Sequence, residues 1–183
     1  MDGYNQTIFQ YKIMGKVNRI IVHHTAMIGN QPQLLSVNSY HRIQGFPQSS
    51  LDWFVGYTHF IEKSGKVIQT RTDTEMQAHT KGLNEDSIGI ALAGDFNRER
   101  PTDAQLESLK NLINQKMTEH SILPNQIMGH RMFRQTNCPG MNFSEAEFRN
   151  LFNPDRSYFT KLLEVLRQRV LNMKQQLGGS TDD

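Results

Sequence analysis

The chain has 183 residues, 37% of them hydrophobic, with 20 basic against 18 acidic side chains and a net charge of +2. That length suits one domain with a substantial core. The charge is too mild to argue for nucleic acid as a partner, though it would not repel a polyanionic polymer such as a cell wall. The single cysteine, Cys138, excludes an internal disulfide, so its thiol is buried, reactive or metal-bound.

The opening stretch "MDGYNQTIFQYKIMG" has an acidic second residue and no long apolar run, so it is expected to be neither a Sec-type signal peptide nor a membrane span. "RIIVHHT", beginning at Arg19, reads as a buried strand that ends in two adjacent histidines. Successive strand side chains point to opposite faces, so at most one of His23 and His24 can serve a single pocket. "QPQLLSVNSYHRIQG" reads as a helix, with Leu34, Val37, Tyr40 and His41 at helical spacing and Gly45 as its stop.

"FVGYTHFIEKSGKVIQT" reads as a hairpin turning at Lys63-Ser64-Gly65, and "DSIGIALAGDF" as an apolar strand bounded by Gly94 and Asp95. "TDAQLESLKNLINQKMTEH" begins with a capping box, Thr102 with Gln105, and carries Leu106, Leu109, Leu112, Ile113 and Met117 on one face. "NQIMGH" is a short strand leading into His130, and Ser144 with Glu147 forms a second capping box for a short helix around "EAEFRNLF". The alternation predicts an α/β architecture with a central mixed β-sheet flanked by helices, in a single domain.

The core is expected over residues 16–152, an amphipathic C-terminal helix over 153–177, and a disordered tail, "GGSTDD", over 178–183. The C-terminal helix sets Phe159, Leu162, Leu163, Leu166, Val170, Met173 and Leu177 on one stripe, with Lys161, Arg167, Arg169 and Lys174 elsewhere. Such a stripe either packs on the domain or a second copy, or lies on an anionic envelope surface.

Chemistry concentrates at His23 and in "GHRMFRQTNCPG", where His130 and Cys138 stand eight residues apart between Gly129 and the Pro139-Gly140 turn. Two neutral imidazoles and a thiolate make a tridentate zinc site with the fourth position open to water. The spacing equally allows a Cys138–histidine nucleophilic pair, or a core histidine beside an inert buried cysteine.

Taken together, "IIVHHTA", "VGYTHFIEKSGKV", "AHTKGLNEDSIGIALAGDF" and "MGHRMFRQTNCPG" resemble, in order and spacing over Val17 to Phe143, the zinc-dependent N-acetylmuramoyl-L-alanine amidases. That family includes coliphage lysozyme-amidases and animal peptidoglycan-recognition proteins. The resemblance implies the type 2 amidase fold with an extra C-terminal helix, zinc as cofactor, peptidoglycan as partner, and hydrolysis of the amide between N-acetylmuramic acid and L-alanine. It implies zinc ligation by His23, His130 and Cys138, with His24 facing away.

The resemblance also implies that Tyr57 stabilises the oxyanion or orients the attacking water. Thr136 stands where the coliphage enzymes have lysine, leaving a hydroxyl but no fixed charge. Thr58 stands where histidine is common, with no catalytic consequence expected. His79 matches a histidine near the groove, and is expected either to contact glycan or peptide or to be structural. His41 is expected to pack, and His59 and His120 have no motif support. The motifs assign no general base. The rival reading is a recognition module that binds peptidoglycan without cleaving it. The expected setting is a monomeric phage endolysin held in the host cytoplasm before release to the wall; a bacterial amidase exported by another route, or delivered against competitors, would carry the same residues.

Overall fold

The structure, a computed structural model, describes residues 15–143, 151 and 156–178. A five-stranded sheet forms its centre: β1 (Arg19–His24), β2 (His59–Ile61), β3 (Val67–Gln69), β4 (Ser87–Leu92) and β5 (Ile127–Gly129). The spatial order is β3-β2-β4-β1-β5. Only the β2–β3 hairpin is antiparallel; β1 pairs in parallel with β4 and β5, and β2 with β4. The sheet is therefore mixed, as the alternation of elements predicts. Its central strand β4, "SIGIAL", is buried at every position, the pattern of a parallel strand covered on both faces.

Helix α2 (Asp103–His120) covers one face. Its Leu109, Leu112, Ile113 and Met117 pack with Ile20 and Val22 of β1 and Ile88, Ile90 and Leu92 of β4, with Leu106 partly buried against the same cluster. Both halves of the predicted capping box are present: Thr102 Oγ1 accepts from the Gln105 amide, and Gln105 Oε1 from the Thr102 amide, each at 3.1 Å.

Helix α1 (Leu34–Ile43) covers the other face, where Leu34 and Val37 pack with Val55, Phe60 and Ala91. The predicted buried stripe differs at one position: Leu34, Val37 and His41 are buried, whereas Tyr40 is 61% exposed. Its N-terminus has no local side-chain cap. The buried Glu62 carboxylate accepts the Gln33 and Leu34 amides at 2.9–3.0 Å instead, from just beyond β2.

The hairpin is shorter than its β-rich sequence suggests, because residues 53–58 are irregular and strand pairing begins only at His59. Thr58 is spent on crossing bonds here, its amide donating to Gly89 O while its carbonyl accepts from the Thr70 amide. Helix α3 (Arg156–Gly178) touches the end of α2 through Arg169, which donates to Glu119 O and Ser121 Oγ. The short helix expected around residues 145–152 lies outside the described residues except at Leu151, as do the tail beyond Gly178 and the stretch 1–14.

Candidate metal centre

Strand register sets the site. On β1, Ile20, Val22 and His24 face α2, and Ile21 and His23 face the opposite side. His24 accordingly accepts the Phe96 amide at Nδ1, at 3.1 Å, and stays out of the centre. His23 pairs in register with Ala91, and Ile21 with Gly89, so β4 presents small residues beside it. His130 directly follows β5, whose Gly129 pairs with Val22, so both histidines stand at the carboxyl ends of adjacent parallel strands. That is where open α/β sheets place their ligands.

Cys138 is brought back by the loop between them. Its carbonyl accepts the Arg131 amide at 2.7 Å, and its amide donates to Thr136 Oγ1 at 3.2 Å. Gly140, at φ +114°, lets the chain pass against Phe96, whose atoms would lie 2.4 Å from any added Cβ. The ligand atoms of His23, His130 and Cys138 all fall within 4.8 Å of one another. His23 Nδ1 and Cys138 Sγ are 3.6 Å apart. Zinc bound at about 2.0 Å to nitrogen and about 2.3 Å to sulfur would separate those atoms by about 3.5 Å in a tetrahedron. The donor set and its spacing fit zinc.

His79 supplies the orientation. His23 Nε2 lies 2.9 Å from His79 Nδ1, His79 Nε2 lies 3.2 Å from Ser87 Oγ, and the Ser87 hydroxyl donates to Leu83 O. Following the protons back from that carbonyl assigns His79 Nε2–H as donor to Ser87 and His23 Nε2–H as donor to His79. His23 Nδ1 is then the unprotonated nitrogen, directed at Cys138. The His79 ring fits only because residue 89 is glycine: a Cβ there would sit 2.6 Å from His79 Cδ2.

Electrostatics favour neutral imidazoles. Burial, reinforced by His79 and His130, drives His23 well below the ordinary histidine range. Burial takes His79 to about 3, and burial with Arg134 lowers His130. Burial also pushes the Cys138 thiol up to about 11, the opposite of an activated nucleophile. A buried thiolate in this position requires a cation beside it, which a divalent metal supplies.

The half-buried Tyr57 sits in the bend before β2, its ring 5.1 Å from that of His23. Burial and Cys138 raise its phenol above the usual range, so the hydroxyl keeps its proton and can donate. Beyond Tyr57 opens a groove of about 440 Å³ lined by Thr25, Met27, Val37, Tyr40 and His41. His41 stacks on Phe46 with centroids 4.3 Å apart and accepts the Gly56 amide at 3.2 Å.

Thr136 is exposed, with its oxygen engaged by the Cys138 amide. His59 and His120 are remote from the centre, near a cluster in which Lys116 Nζ bridges Asp73 and Glu119 at 2.7 and 2.8 Å. His120 Nε2 lies 2.8 Å from Asp73. That lysine already occupies the carboxylates which, with His120, could otherwise group around an ion. Sequence reasoning had no signal for Ser87 and Leu83, since Ser87 meets His79, and Leu83 meets Ser87, only through the folded loop.

The family model for N-acetylmuramoyl-L-alanine amidase (Amidase_2) matches residues 14–141, and the chain belongs to that family. It is 32% identical over 124 residues to peptidoglycan-recognition protein SC2 of Drosophila melanogaster, covering 67% of each chain. Among solved structures, it superposes on N-acetylmuramoyl-L-alanine amidase LysC from Clostridium intestinale with a TM-score of 0.65 at 31% identity, covering 75% of this chain and 86% of that one. A Drosophila PGRP-LB mutant in complex with tracheal cytotoxin superposes with a TM-score of 0.60 at 26% identity, covering 72% and 79%.

Proposed function

We propose that this protein is a zinc hydrolase that cleaves the amide between the lactyl group of N-acetylmuramic acid and L-alanine in peptidoglycan. The observation that carries this reading is the convergence of His23, His130 and Cys138 beside the ring of Tyr57, a residue that also lines a groove. Zinc held by those three residues supplies Lewis acidity, polarising a carbonyl and lowering the pKa of water.

The chain's own residues do the rest. His79, holding the Nε2 proton of His23, keeps Nδ1 as the metal-facing atom. Tyr57 donates a hydrogen bond to the oxyanion that develops as water adds to the amide carbonyl. The Thr136 hydroxyl, whose oxygen accepts from Cys138, retains one proton to offer the same oxyanion. The groove beyond Tyr57 holds the muropeptide, with the buried Val37 and His41 and the exposed Tyr40 in its lining. Support for the substrate comes from family membership and from the similar LysC amidase. The likeness to a second amidase of Clostridium intestinale, the endolysin LysCS, supports a lytic role on the wall.

The test is digestion of purified peptidoglycan with and without chelator, scoring new alanine amino groups against new reducing sugar ends by mass spectrometry. Amino groups without reducing ends, abolished by chelator and restored by zinc, are expected. Tight wall binding by the zinc-loaded protein without any cleavage would instead establish a recognition module.

A further inference from the structure

Helix α3 begins at Arg156, beyond the segment matched by the family model, and its 23 residues extend about 34 Å. One side faces the body of the protein: Val165 is half-buried, and Arg169 donates to Glu119 O at 2.8 Å and Ser121 Oγ at 2.9 Å. Leu163, Leu166, Val170 and Met173 are 68, 40, 45 and 53% exposed. Their alternating spacing of three and four places them on one narrow stripe. At 100° per residue, Arg167 and Lys174 flank this stripe on one side and Arg169 on the other.

The helix also concentrates charge. It holds five basic residues and one acidic residue, a net +4, in a chain whose total is +2, so the remainder is net −2. Three occupants could cover the apolar stripe, and the charges choose among them. A second copy would set Arg167 and Lys174 against their own kind along the seam. A polyanionic wall polymer would answer the charges but offer no apolar phase to Leu163 or Val170. The surface of an anionic bilayer answers both, with acyl chains beneath a layer of phosphates.

We propose that the exposed face of α3 docks on an anionic phospholipid bilayer, lying along the interface. No helix among the described residues is long and apolar enough to cross a membrane, so α3 rests on the surface. This inference is independent of the hydrolytic reading, because the face is remote in sequence from every residue of the metal centre.

The full chain would be sedimented with vesicles of phosphatidylglycerol and phosphatidylcholine, and with phosphatidylcholine vesicles alone, at low and high salt. Soluble polyphosphate serves as a competitor that has charge but no apolar phase. Two pair variants at exposed positions are compared: Leu163→Asn with Val170→Asn, and Arg167→Glu with Lys174→Glu. Binding to anionic vesicles at least about tenfold above neutral ones is expected, weakened by salt and reduced at least about tenfold in each pair. Equal binding to both vesicle types, or none, would overturn the proposal. Full binding by the apolar pair variant would show that charge alone acts and point to a polyanion. A dimer in solution that the apolar pair variant dissociates would assign the face to a second copy and overturn it equally.

Discussion

His23 Nε2 lies 2.9 Å from His79 Nδ1, and this contact, with Thr80 Oγ1 at 3.5 Å, engages one ring nitrogen of His23 while the other faces Cys138. His79→Ala should therefore lower zinc affinity about 10- to 100-fold, with the fold retained. His79→Asn, whose side-chain oxygen can take over as acceptor, should recover part of the loss. Gly89→Ala should reproduce the defect by displacing the His79 ring. Competition against a chromophoric chelator measures all three, and wild-type affinity in His79→Ala would remove His79 from the centre.

A ligand that binds the folded state alone raises stability by about 2.7 kcal/mol at a hundredfold excess over its Kd. For a chain of this size that corresponds to roughly 5–10 °C in Tm. Zinc should produce such a shift over the chelator-treated protein, and Cys138→Ser should remove most of it. Differential scanning calorimetry at a fixed zinc excess gives the answer, and an unchanged Tm would argue against a metal held by Cys138.

Tyr57→Phe should lower kcat about 10²- to 10³-fold with KM little changed, because the hydrogen bond is needed where charge develops. Burial raises the phenol's pKa, so its proton is held throughout the range in which a free tyrosine would ionise. The wild-type rate should thus show no alkaline loss attributable to Tyr57 between pH 8 and about pH 10. A Phe variant of full activity would take Tyr57 out of the mechanism.

Burial lowers both His41 and His59 to about 4, below the unfolded value near 6.5. Depressed folded values mean that the unfolded chain takes up protons first, so stability is full above about pH 6.5 and is lost as pH falls towards 4. His59 Nδ1 is buried without a hydrogen-bond partner among the described residues. His59→Leu should flatten the fall in urea midpoint between pH 6.5 and 4, and an unaltered slope would assign the acid sensitivity elsewhere.

Glu62→Ala should destabilise the protein by about 2 kcal/mol, since it strips the Gln33 and Leu34 amides of the carboxylate that caps them and removes a negative charge from the start of α1. Urea unfolding measures the loss. A change below about 0.5 kcal/mol would mean that water or a neighbouring group replaces the carboxylate.

Local pattern was sufficient where the physics is local. The β-branched run before His23, the apolar face of α2 and the Thr102–Gln105 capping box are written within a few residues of each other, so strand, helix and helix start were legible in the sequence. Strand alternation likewise sends His24 to the opposite side from His23 by backbone geometry alone. Conversely, Tyr40 follows the helical period yet is exposed, because the width of the covered face depends on what packs against it. The nature of the candidate ligands was written in the motifs: two imidazoles and a thiol are metal donors wherever they occur.

Their meeting was not. Residues 23, 130 and 138 converge only because β5 pairs beside β1 and the loop after His130 folds back through Arg131. The tertiary structure alone selected His23 Nδ1 over Nε2, since His79 and Ser87 are 56 and 64 positions away from His23 in the chain. It alone capped α1 with Glu62, and it alone left the stripe of α3 facing outward. Hydrogen bonds and burial between segments far apart in sequence depend on strand order and loop path, and no periodicity within one segment records them.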